Sequence, residues 1–220
     1  MSPLRTSRAI TLVMVVTSTI LVGCGSSNEA TPPTTSIPAS TSTTTTTSTT
    51  TTSTTTTVYV GPPTLAPGES LPQPESLPDE DTVEPEVVVG AIHIPRIELL
   101  QTIYRGVTLP TLDKGIGWWP GTAMPGQVGN VVLGGHRTSG PAPFRKVDAL
   151  TAGDEVIVTT ADGTFIYVVE GVAVYPASEA ANVVLAQTSS AKMTMFACHP
   201  PGKVTHRIVV FTNYSRKVAA

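Results

Sequence analysis

Between residues 91 and 212 the chain alternates short apolar runs with turn residues, and the dominant period is two rather than 3.6. Residues 91–95 and 99–104 are apolar or alternating runs between breakers, so they predict strands. Residues 109–114 predict one helical turn ahead of a glycine-rich loop, 115–121, that carries Trp118 and Trp119. Residues 130–133 predict a buried strand that opens into Gly134-Gly135-His136, and 143–150 predict a short helix. Residues 154–160 and 164–175 flank Ala161-Asp162-Gly163, a good hairpin turn. Residues 192–198 and 206–212 form a last pair of strands joined through Pro200-Pro201-Gly202-Lys203. Seven or eight short strands without a long amphipathic helix predict an all-β fold, either a closed barrel or a sandwich.

Upstream the pattern changes twice. Arg5 and Arg8 precede an apolar run of fourteen residues, 9–22, broken only by Thr and Ser. An ordinary membrane span needs about 20 residues, whereas this length suits the core of a secretory signal. The run ends in Leu21-Val22-Gly23-Cys24, which resembles a bacterial lipobox, with cleavage before Cys24 and a lipid on its thiol. An uncleaved anchor, or a cut near Gly25, is the competing reading. From 41 to 57 every residue is Ser or Thr. The whole stretch 24–88 holds ten of the 20 prolines and one of the eleven aromatics. Such a composition cannot bury enough apolar surface to offset its ordering entropy. The expected organisation is therefore a signal at 1–23, a disordered Ser/Thr/Pro-rich linker at 24–88 and one folded domain at 89–220. As a flexible coil the linker reaches about 45 Å, and in extended proline-like geometry about 200 Å.

The net charge of −3 averages two unlike parts. The linker carries eight acidic residues and no basic one, while the folded part has eleven Lys/Arg against eight Asp/Glu. No nucleic-acid partner is expected. Two cysteines exclude a disulfide framework and a four-cysteine zinc site. If Cys24 belongs to the membrane anchor, Cys198 has no partner within the chain.

Three residues stand out on this scaffold. Cys198 ends an apolar strand, where an inert buried thiol is the plain alternative. His136 lies just beyond a strand end behind two glycines. Arg207 shares one face of the last strand with Val209 and Phe211. A thiol, an imidazole and a guanidinium can serve as nucleophile, acid/base and oxyanion partner, although spacing alone does not bring them together. His199 and His206 lack the paired spacing of a structural zinc site, so no metal is expected. His199 is read as a turn residue, and His206 as facing away from Arg207. Trp118 and Trp119 are read as packing.

The ordered motifs from Ile92-His93-Ile94-Pro95 to Phe211 resemble the sortases, cysteine transpeptidases of the bacterial surface. The matching residues include Pro120-Gly121-Thr122-Ala123, Pro125-Gly126, Gly129-Asn130-Val131-Val132-Leu133 and Gly135-His136-Arg137-Thr138. They continue through Pro143-Phe144-Arg145, Gly153-Asp154-Glu155, the run from Thr194 through Cys198 to His199-Pro200, and Arg207 to Phe211. The Gly-His-Arg-Thr loop and the His-Pro after the cysteine look most like class E sortases of actinobacteria. The resemblance implies a closed eight-stranded sortase-type β-barrel with one or two short helices. It implies Cys198 as nucleophile, His136 as acid/base and Arg207 as oxyanion stabiliser, with no cofactor.

It further implies a C-terminal sorting motif, Leu-Pro-X-Thr-Gly or Leu-Ala-X-Thr-Gly, cut between Thr and Gly on exported proteins. The acyl group would pass to an amine of a peptidoglycan precursor or a pilin lysine. The enzyme would sit at the extracytoplasmic face of the membrane, lipid-anchored and reaching into the cell wall. Three positions depart from the family pattern. Ala197 stands where a threonine usually precedes the cysteine. Gly140 stands where class E members commonly carry a tyrosine, and Cys24 replaces a transmembrane anchor. A catalytically silent sortase-like binding lipoprotein is the alternative. The Ser-His-Gly-Cys signature of L,D-transpeptidases is absent.

Overall fold

The computed structural model describes residues 61–219. The expected signal, Cys24 and the Ser/Thr tract lie outside the described residues. Among the described residues eight strands are present: β1 (Val88–Ile94), β2 (Leu99–Arg105), β3 (Ile116–Trp118), β4 (Gly129–Gly134), β5 (Glu155–Thr160), β6 (Gly163–Pro176), β7 (Ala191–His199) and β8 (His206–Val218). They close into a barrel in the order β1-β2-β3-β4-β7-β8-β6-β5, with β5 returning to β1. Of the barrel and sandwich that the alternation left open, the chain forms the closed eight-stranded barrel that the sortase resemblance implied. Among the described residues closure leaves the barrel without an open sheet edge.

Two pairings are parallel, β2 with β3 and β4 with β7. Each needs a crossover. The first contains α1 (Leu109–Leu112), and the second contains β5, β6 and α2 (Ala177–Val184). The 143–150 segment, expected as a helix, forms only a 3-10 turn at Val147–Ala149. Pro143 and the buried Phe144 and Val147 hold it as a chain of tight turns instead. β3 was expected to be loop, and α2 was not foreseen.

Period-two alternation sorts the side chains into two layers. Val131 and Leu133 of β4, Met193, Met195 and Ala197 of β7, and Ile208 and Val210 of β8 fill the interior. The outward residues are not solvated as in a simple barrel. Val132 and Val209 are fully buried on the outside, with Phe196, Phe211, Trp119 and Tyr175, beneath Val184 of α2. A second, smaller core therefore sits on the outer face. Asn130, 3% exposed, pins it: its amide donates to the carbonyls of Val184 and Ala186, and its oxygen accepts from Thr194 Oγ1.

The stretch before β1, assigned by composition to the linker, lies against this same side. Glu75 N donates to Pro120 O, Leu109 N to Glu80 O, and Arg105 N to Val87 O, at 2.8, 2.7 and 2.8 Å. Its acidic residues find the domain's cations: Arg105 meets Glu75 and Glu84, and Lys114 meets Glu86. Charge complementarity supplies here what apolar composition does not.

Candidate active site

The strand register brings the three chemistry-bearing residues to one place. Cys198 of β7 is the direct antiparallel partner of Arg207 on β8. On the other side of β7 the parallel register pairs Gly134 with Phe196, and Gly135 N continues the ladder to Phe196 O at 3.2 Å. Two residues further along each chain lie His136 and Cys198. All three line one cavity of about 240 Å³ on the outer face of the barrel. Cys198 is a free, half-buried thiol.

Each side chain is placed by its surroundings. Arg207 donates to the carbonyls of Val204 and His206, at 2.8 and 3.0 Å, so the β7–β8 turn holds its guanidinium. His136 Nε2 is 3.1 Å from Asp113 Oδ1, at the C-terminal end of α1. Behind it, Gly135 is packed so closely on the buried Phe144 ring that a Cβ there would meet Cδ2 at 2.6 Å. The residues flanking the site also brace it. Arg137 and His199, neighbours of His136 and Cys198, touch through the guanidinium and Nδ1, and Arg137 is paired to Asp148 at 2.6 Å.

The rest of the wall is apolar. Val107, Leu109, Leu112, Trp119 and Phe196 face the cavity, and Leu77 and Glu80 close it from the preceding stretch. A second, apolar cleft of about 200 Å³ runs from Arg207, Trp119 and Phe196 along Ala177, Ala180, Ala181 and Val184 of α2. The two clefts share Trp119, Phe196 and Arg207, so they meet at the guanidinium.

Several expectations change here. His199 is not a free turn residue but the last residue of β7, engaged by Arg137. His206 bonds Thr205 Oγ1. Among the described residues no cluster of three metal-ligating side chains forms. Trp118 packs against the core, as read, but Trp119 is a wall of both clefts. Ala197 is 2% exposed and packs in the interior cluster, while the residue also borders the cavity beside Cys198. Asp113 and Phe196 escaped the sequence reading as site residues, and Trp119 does more than the packing expected of it. Nothing local distinguishes an aspartate after one helical turn, and Phe196 shows only as one more apolar strand residue.

The family model of the sortase domain matches residues 92–215, more than half of the chain. The chain belongs to the sortase family. Among curated relatives, Sortase SrtE1 of Streptomyces coelicolor is 35% identical over 91 residues, covering 38% of this chain. Sortase D of Bacillus subtilis is 25% identical over 129 residues, covering 59% of it. The chain spans 26% and 63% of those two relatives' own lengths. Among solved structures, the Clostridium perfringens Sortase D5 transpeptidase superposes with a TM-score of 0.53 at 32% identity. It covers 58% of this chain and 79% of that one. Sortase A from Corynebacterium diphtheriae gives 0.54 at 25% identity, covering 62% of this chain and 63% of that one. The sortase barrel is thus common to both comparisons and to the fold seen here.

Proposed function

We propose that this sortase is a cysteine transpeptidase acting on a peptide sorting motif, with Cys198, His136 and Arg207 as its catalytic groups. The observation that carries the reading is the register: Cys198 opposite Arg207, with His136 two residues beyond the adjoining parallel strand, on one cavity wall. Family membership supports the same assignment. The S–C bond would form as the Cys198 thiolate attacks a threonine carbonyl. Arg207 faces the developing oxyanion. The Thr–Gly C–N bond then breaks, and a proton from the His136 imidazolium goes to the departing glycine amine. An incoming amine gives a proton back to His136 as it displaces the thiolate and forms a new amide. Neither step requires a metal or an organic cofactor.

The apolar cleft along α2 ends at Arg207 and suits the apolar Leu-Pro or Leu-Ala pair ahead of threonine in Leu-Pro-X-Thr-Gly or Leu-Ala-X-Thr-Gly motifs. Exported proteins with such signals, and amines of peptidoglycan precursors or pilin lysines, are the proposed partners. The proposed site of action is the outer face of the membrane, with Cys24 as the lipid anchor. The test uses peptides of both motifs with and without an amine acceptor. The wild-type chain should ligate at least one motif, and Cys198→Ala should abolish ligation. Equal turnover by wild type and Cys198→Ala would refute Cys198 as the nucleophile, and no turnover by either over a broad peptide panel would leave the silent binding lipoprotein as the better reading.

A further inference from the structure

We infer that Asp113 is a positioning residue for His136, and that Gly140 is the residue that makes room for it. The inference rests on the proposed acid/base role of His136. Three placements converge on this contact. α1 is pinned at both ends of its single turn. Leu109 N donates to Glu80 O at 2.7 Å, Leu112 N to Thr108 O at 3.0 Å, and Asp113 N to Leu109 O at 2.9 Å. Asp113 thus emerges from a fixed turn, pointing its carboxylate across to the loop after β4. His136 meets it there at 3.1 Å through Nε2, with the ring largely covered (side chain 13% exposed) and the carboxylate 61% exposed.

An ionised carboxylate only accepts, so Nε2 carries the proton of this bond. That leaves Nδ1 as the nitrogen that can hand a proton to the departing amine and take one from the incoming amine. The bond fixes both the tautomer and the ring plane, as a carboxylate does for a catalytic imidazole in other nucleophilic enzymes. It gives the family's nucleophile–base pair a third, orienting group.

Gly140 explains why the carboxylate can be there. A Cβ at position 140 would lie 3.3 Å from Asp113 Oδ1, slightly tighter than ordinary contact, and in ordinary contact with its Cα at 3.4 Å. The backbone at Gly140 has φ +52°, a conformation in which side chains other than glycine are strained. The tyrosine that the class E resemblance leads one to expect at this position would start from a Cβ already against Asp113.

The experiment compares the full chain with Asp113→Asn, Asp113→Glu and Gly140→Ala, each checked for unchanged melting. Two peptide substrates are used: the ordinary Thr–Gly amide, and an analogue whose threonine is joined to a thiol leaving group that departs without protonation. Asp113→Asn should lower kcat on the amide about tenfold or more with KM within about twofold. It should leave acylation by the thioester analogue within about twofold, and Asp113→Glu should recover part of the loss. Gly140→Ala should reproduce the defect, and the double variant should be no worse than Asp113→Asn alone. Ring 15N spectra of His136 should show the Nε2–H form in wild type and lose its dominance in Asp113→Asn.

Wild-type kcat in Asp113→Asn with an unchanged ring spectrum would overturn the inference. So would an equal loss on both substrates, which marks simple structural damage. If His136→Ala itself turned over the amide normally, the acid/base assignment would fall. The ring spectrum would still decide whether Asp113 sets the tautomer.

Discussion

Replacing Asn130 with alanine tests what holds the cleft wall to the barrel. Its side chain is 3% exposed and makes three bonds, to Val184 O at 2.9 Å, Ala186 O at 3.1 Å and Thr194 Oγ1 at 2.9 Å. Alanine removes all of them and leaves two carbonyls and a hydroxyl without their partner. At about 1 kcal/mol for each bond the loss is about 3 kcal/mol. In a domain of this size that is roughly a 10 °C fall in Tm. The effect on function should be directional. Val184 and Ala180 line the apolar cleft beside Arg207, whereas Cys198 is carried by β7 and His136 by the loop after β4. KM for a sorting peptide should therefore rise about tenfold, with alkylation of Cys198 by a small reagent changed less than about twofold. Asn130→Asp keeps an acceptor for Thr194 but cannot donate to either carbonyl, so it should be no better than alanine. Urea unfolding and peptide kinetics on the same samples make the measurement. A loss below about 1 kcal/mol, or a thiol as impaired as peptide binding, would refute the assigned role of the knot.

Three further outcomes follow from other parts of the structure. Burial pushes the Tyr167 hydroxyl well above the usual tyrosine range, while its oxygen accepts from Gly126 N at 2.8 Å. The raised value means that the folded state keeps a proton the unfolded chain gives up, so stability should fall above about pH 10, by about 1.4 kcal/mol per pH unit. Tyr167→Phe should cost about 1–3 kcal/mol at neutral pH and lack that part of the alkaline slope; chemical unfolding at pH 8 to 11 would show it. Gly135→Ala should lower kcat at least about tenfold, because the fully buried Phe144 ring cannot yield and the backbone leading to His136 must move; kcat within twofold of wild type would contradict this. Asp148→Ala leaves the buried Arg137 guanidinium with its contact to His199 but without its carboxylate. The loss should be about 1–2 kcal/mol in thermal unfolding, moderated because Asp148 is half exposed.

How far the sequence discloses these features depends on the distance over which each is determined. β7 and β8 announce themselves, since Met193, Met195 and Ala197 alternate against Thr194, Phe196 and Cys198 within nine residues. β3 does not. It has three residues with a glycine at its centre, and it is a strand only because β2 and β4 flank it. α2 is one short helix whose reason for existing is the outer core on β4 and β8, and alternation cannot show which face of a barrel strand will be covered. β8 runs on to Val218 because the long β6 supplies partners as far as Thr164. For the site, residue type and motif mark Cys198, His136 and Arg207, but their meeting depends on register. Asp113 and the stretch carrying Leu77 and Glu80 depend on contacts across 23 residues or more, where no periodicity reaches.

The central claim is that Cys198 is a nucleophile and not a buried spectator, and intact-protein mass spectrometry during turnover addresses it most directly. With a sorting peptide and no added amine, the chain should gain the mass of the peptide up to and including threonine. Digestion should place that mass on Cys198. Hydroxylamine should remove it, and His136→Ala and Arg207→Ala should slow its appearance. A chain that cleaves the peptide with no adduct on Cys198, or carries the adduct on another residue, would contradict the account.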